Sequence, residues 1–187
     1  MQKHSGPNRA STLARFCANR KKRARVLYLL LLTLWAPDGR PMRSEIWLRT
    51  LDVAGGKITW SKSSVSTSWS ALVDMGMATR TRTRRMADLV PKREDGEDDY
   101  SLPDGKTSID RYFALPGAFW TEKWFDELSL PAICVLLVLV KETNDDTEEV
   151  HLTHKQLEDW YGISASSAKR AWVSSRRTVC SVFAVTA

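Results

Sequence analysis

The chain has 187 residues, 43% of them hydrophobic and 27% charged, enough apolar material for one large domain or two small ones. Its net charge of +6 averages two unlike halves: residues 1–93 carry 19 Lys and Arg against 5 Asp and Glu, a net of +14, and residues 94–187 carry 9 against 17, a net of −8. The front half is therefore suited to a polyanion, while Cys17, Cys134 and Cys180, odd in number and without zinc-ligand spacing, argue against a disulfide framework and for a reduced, cytoplasmic protein.

Residues 1–23 are polar, basic and without periodicity, which predicts a disordered arm. A basic stretch then leads into an apolar run over residues 26–36 that resembles a secretory leader. It is too short to span a bilayer, and Pro37 stands where a cleavage site would have to be, so a buried helix over residues 24–35 is the expectation. Ser44 can cap a second helix with Ile46, Leu48 and Leu51 as its apolar residues. Residues 61–76 read as a third helix: Val65, Trp69 and Leu72 fall at i, i+4 and i+7, Met75 extends the stripe, and Gly76 stops it. Off that stripe lie Lys62, Ser63, Ser66, Thr67 and Ser70, a small hydroxyl-rich face that lets a helix backbone sit deep in a major groove.

Residues 77–85 alternate threonine and arginine. In a strand Arg80, Arg82 and Arg84 project to one side, and β-branched threonine on the other favours the extended form. With a return strand near residues 87–90 the segment becomes a hairpin, and helix, helix, helix, hairpin is the order of a winged helix-turn-helix. Arg80, Arg82, Arg84 and Arg85 are then expected along phosphates or in a minor groove. A charged edge strand guarding against aggregation is the plainer alternative, although lysine or mixed charge would serve that purpose as well.

Residues 94–110 are acidic and rich in turn formers, and they read as a linker. Residues 111–187 are expected to form a second module. Ser129 caps a helix with Pro131 in its first turn, and residues 132–140 are apolar all round, marking the module's centre. Residues 149–152 are a strand candidate. Thr153 and Gln156 fit a capping box, Gly162 closes that helix, Ile163 plugs the turn, and Ser164 caps the next helix, in which Ala168 and Trp172 face inward. This is the helix-turn-helix pattern, with Ser166, Ser167, Lys169 and Arg170 as its outward residues. The predicted fold is mainly α with small β-hairpin wings (α+β), two winged helix-turn-helix modules over residues 24–93 and 111–187.

Residues 61–85 resemble the recognition helix and wing of MarR-type winged-helix regulators. Residues 112–171 are similar to the second half of tandem winged-helix proteins of actinobacterial chromosomes, plasmids and integrative elements, some of them likened to replication initiators. The resemblance covers roughly residues 24–90 and 109–171, and it implies double-stranded DNA binding. It breaks after about Arg170, where a recognition helix and wing are expected and residues 171–187 read instead as the product of a frameshift.

The expectation is a sequence-specific, cytoplasmic double-stranded DNA-binding protein, a transcriptional regulator or a replication initiator of a plasmid or mobile element, acting either as a homodimer or with the two tandem modules of one chain on two half-sites. No cofactor, metal, membrane or small-molecule substrate is expected. His151 and His154 lack a third ligand, and no phosphate loop, nucleophile elbow or placed carboxylate pair suggests an enzyme. A protein-interaction adaptor built on winged-helix modules without DNA readout is the alternative, and a membrane-tethered protein using residues 26–36 is a third.

Overall fold

A computed structural model of the chain describes residues 12–35, 44–83, 86–93, 98–106, 112–143, 150 and 152–175. It is mainly helical with one small two-stranded antiparallel sheet. The chain divides into two compact units. One is Lys21–Pro103, and the other joins Met1–Arg20 to Asp104–Ala187.

In the first unit, α2 (Lys22–Leu34) forms because leucines and one tyrosine run uninterrupted through good helix formers. Val26, Leu27, Leu30 and Leu31 are buried, each contributing about 1.5–3 kcal/mol by removal from water. The apolar run is thus core as far as Leu31, while Leu34 is exposed, and among the described residues no helix is long and apolar enough to cross a membrane. The Tyr28 hydroxyl donates to the Lys92 carbonyl at 2.8 Å, tying α2 to the end of the sheet.

The helix α3 (Ser44–Leu51) departs from the expected stripe. Trp47 and Leu51 are buried, Leu48 is half-buried, and Ile46 is 46% exposed. Adjacent positions compete for one inward direction, and the indole wins because it buries more surface. It meets the ring of Trp69 edge-on, centroids 6.2 Å apart at 89°.

α4 (Lys62–Asp74) begins with a reciprocal cap: the Ser61 side chain accepts from the Ser64 amide, and Ser64 returns the bond to the Ser61 amide. Val65, Trp69 and Leu72 are buried as the period requires; Met75, just past the helix, is half-buried. Gly76 ends the helix at φ +69°. Its amide donates to Val73 and that of Met77 to Leu72, at 2.9 and 2.8 Å, the two bonds of a Schellman turn.

The hairpin follows at once, with β1 (Ala78–Thr83) antiparallel to β2 (Met86–Pro91). The acidic segment beyond it is only partly a linker. Asp99 bridges to Lys92, and the Tyr100 amide donates to the Pro91 carbonyl at 2.8 Å, so the chain stays with this unit as far as Pro103.

The second unit departs from expectation at its start. Of the disordered arm expected over residues 1–23, residues 1–11 lie outside the described residues, but α1 (Thr12–Ala18) is a helix packed against α7 (Leu130–Glu142), with Leu13 and Phe16 buried. Two apolar residues at i and i+3 suffice when a partner face is available. α5 (Ala118–Thr121) and α6 (Trp124–Glu127) are short, and Lys123 between them has a left-handed backbone, φ 59°. α7 is buried from Ala132 to Leu139 on every side, and Ser129 caps it through the Ala132 amide.

The expected strand over residues 149–152 finds no support at Val150 or Leu152, both irregular; Glu149 and His151 lie outside the described residues. α8 (His154–Tyr161) carries the Thr153–Gln156 capping box and ends on Gly162 at φ +65°. Ile163 is fully buried in the turn, and α9 (Ala165–Ser175) packs on α7 and α8 through Ala168 and Ala171. The side chain of Trp172, expected inward, and everything after Ser175 lie outside the described residues.

Candidate nucleic-acid interface

All five residues expected on the outer face of α4, namely Lys62, Ser63, Ser66, Thr67 and Ser70, are exposed. They are not equivalent. The Ser63 hydroxyl lies 2.9 Å from that of Ser61, within the cap. Lys62 Nζ sits 2.8 Å from Glu45 Oε1 of α3, and this hydrogen bond, reinforced by the carboxylate charge, holds the ammonium above its ordinary range. Both partners are well exposed, so solvent screens the pair, and a phosphate could displace the carboxylate at little cost. The hydroxyls of Ser66, Thr67 and Ser70 have no hydrogen-bond partner among the described residues, and they line the middle of the helix.

The strand register settles which way the arginines point. Cross-strand partners share a face, and Arg80 pairs with Leu89, Arg82 with Ala87, and Ala78 with Pro91. Arg80 and Arg82 therefore do lie on one side, as the alternation predicts. That side is the inner one: at its root Ala78 and Leu89 are buried against the helices. Further out the strand leaves the core, and residues 79–82 are exposed on both faces. Arg80 emerges at the boundary, its guanidinium carbon 6.0 Å from the ring centroid of Trp69 on α4. An arginine over an indole face is worth about 0.5–1 kcal/mol in a solvated setting. Arg84 and Arg85 lie outside the described residues.

Several supports escaped the sequence reading. Trp47 backs Trp69 from α3, and the Arg23 guanidinium donates to the Thr59 carbonyl at 3.1 Å, anchoring the loop before α4. The spacing of Trp47 to Leu51 (i, i+4) was a readable signal; the Arg23 bond, 36 residues apart in sequence, had none.

The second helix pair differs. Ser166, Lys169 and Arg170 of α9 are exposed, but Ser167 is only half-buried and faces its own cap. The Ser164 hydroxyl lies 3.3 Å from Ser166 Oγ and 3.0 Å from Ser167 Oγ, and Arg170 reaches Ser167 Oγ at 3.5 Å. Ser167, expected outward, is half-buried: its hydroxyl accepts from the Ser164 hydroxyl, whose oxygen in turn accepts from the Ser167 amide as a helix cap.

Behind this pair, Lys141 Nζ meets Glu142 Oε1 at 2.8 Å and the Tyr161 hydroxyl at 3.0 Å, and Tyr161 donates to Glu142. Burial first, then the hydrogen bond and charge of Glu142, push the phenol far above its usual ionisation range. Among the described residues no group of three His, Cys, Asp or Glu could hold a metal ion. His154 is exposed, and His151 lies outside the described residues.

No family model matches this chain, and neither does any curated protein or solved structure.

Proposed function

We propose that Lys21–Pro103 is a winged helix-turn-helix binding double-stranded DNA, and that the protein acts as a transcriptional regulator or as a replication initiator of a plasmid or mobile element. One observation carries the reading. A helix face of small, unengaged hydroxyls and a strand of exposed arginines are joined through Arg80 on Trp69, so the two surfaces are held together rather than presented independently. Short side chains on α4 allow close approach to base edges, and guanidiniums suit phosphates and narrow minor grooves.

The test is a gel-shift series against salt. If Arg80, Arg82, Arg84 and Arg85 each neutralise a phosphate, they contribute about −3.6 to the slope of log affinity against log salt, at roughly −0.9 per contact. The fourfold alanine variant should flatten the slope by that amount. An unchanged slope removes the hairpin from the interface. Failure of the wild-type protein to retard any duplex at low salt would favour the adaptor reading.

A further inference from the structure

We propose that Cys17 and Cys134 form a disulfide-forming site that fastens α1 to α7. The sequence gives no hint of it, because the two residues stand 117 positions apart. Their Sγ atoms are 3.0 Å apart, across the contact in which Leu13 and Phe16 are buried. To reach the S–S bond length of about 2.05 Å they need close by only about 1 Å. A shared metal fits less well: two sulfurs on one zinc at about 2.3 Å would stand roughly 3.8 Å apart, and no third ligand gathers with them among the described residues.

Burial sets the order of events. Cys17 is half-buried and Cys134 fully buried, so an oxidant from solvent meets Cys17 first. With a low-molecular-weight disulfide such as oxidised glutathione, the Cys17 thiolate attacks one sulfur, breaking the glutathione S–S bond and releasing one glutathione thiolate. Cys134 gives up its proton, attacks the Cys17 sulfur of the mixed disulfide and expels the second glutathione. Two protein thiols are oxidised, one glutathione disulfide is reduced to two thiols, and the two protons end on those thiols. Sealed against Cys17, Cys134 outcompetes free glutathione for the second step. The bond closes a loop of chain that contains all of Lys21–Pro103. The site stands independently of any DNA-binding role.

The experiment treats the full-length protein with oxidised glutathione and maps disulfide-linked peptides without reduction. The expected result is a crosslink of Cys17 to Cys134 within one chain, retained in C180S and lost in C17S, together with a rise in thermal midpoint of about 5 °C or more that dithiothreitol reverses and C17S does not show. The wild-type map needs no variant to fold. A glutathione adduct persisting on Cys17, a bond from either residue to Cys180, or a link between two chains overturns the proposal.

Discussion

The helix pair α3–α4 and the helix pair α8–α9 use the same local grammar and end with different surfaces. In each, a serine caps the second helix. Beneath α4 lie Val65, Trp69 and Leu72, and the hydroxyls of Ser66, Thr67 and Ser70 on its outer face are left to solvent. On α9 Ala168 and Ala171 are the buried residues, and the serines at its start are drawn into the cap. The first pair is fastened to a strand by a cation over an indole, the second to α7 by a phenol, a carboxylate and an ammonium. A helix-turn-helix pattern therefore fixes a backbone path, and what that path can bind depends on side chains the pattern leaves open.

Three measurements sharpen or break that contrast. Trp69→Ala removes the indole packed between Trp47 and Arg80, and it should cost about 3–5 kcal/mol in denaturant unfolding. A loss under 1 kcal/mol, on the order of a surface change, would mean that α4 is not seated through Trp69. Next in size is a matched pair of triple variants. S66A/T67A/S70A should lower affinity for a selected duplex by about tenfold or more, since each lost hydroxyl hydrogen bond is worth about 0.5–1.5 kcal/mol, whereas S166A/K169A/R170A should weaken binding far less. Equal losses would erase the distinction between the two helices.

The smallest effect concerns pH. The Tyr161 phenol is raised in the folded state, so its contribution to stability is present below the unfolded value of about 10 and is lost as pH rises past it. Wild-type stability should therefore decline above about pH 10 more steeply than that of Tyr161→Phe, followed by denaturant melts across that range. Parallel curves would detach Tyr161 from the titration.

Much of this was legible beforehand, for definable reasons. The stripe of α4, the all-apolar α7, the capping box of α8 and the glycine stops at Gly76 and Gly162 are local signals, and local signals survive folding. The alternation of arginine and threonine revealed the strand and its one-sidedness. It could not reveal which side faced inward, because that is decided by Ala78 and Leu89 meeting helices elsewhere in the unit. The stripe of α3 rotated because Ile46 and Trp47 are neighbours and only packing could choose between them. α1 was missed because its two anchors are meaningful only against α7, and the chain beyond the hairpin because it is held by backbone bonds that leave no side-chain trace.

The Schellman turn at Gly76 has an evolutionary corollary. Only Met75, Gly76 and Met77 separate α4 from β1, and Met77 is buried, so those three residues act as a rigid elbow rather than a tether. Lineages can recharge the exposed strand positions 81 and 82 without disturbing the joint, whereas a single insertion at the elbow would uncouple strand and helix. Variation among descendants of this sequence should accumulate at those exposed strand positions and spare the joint.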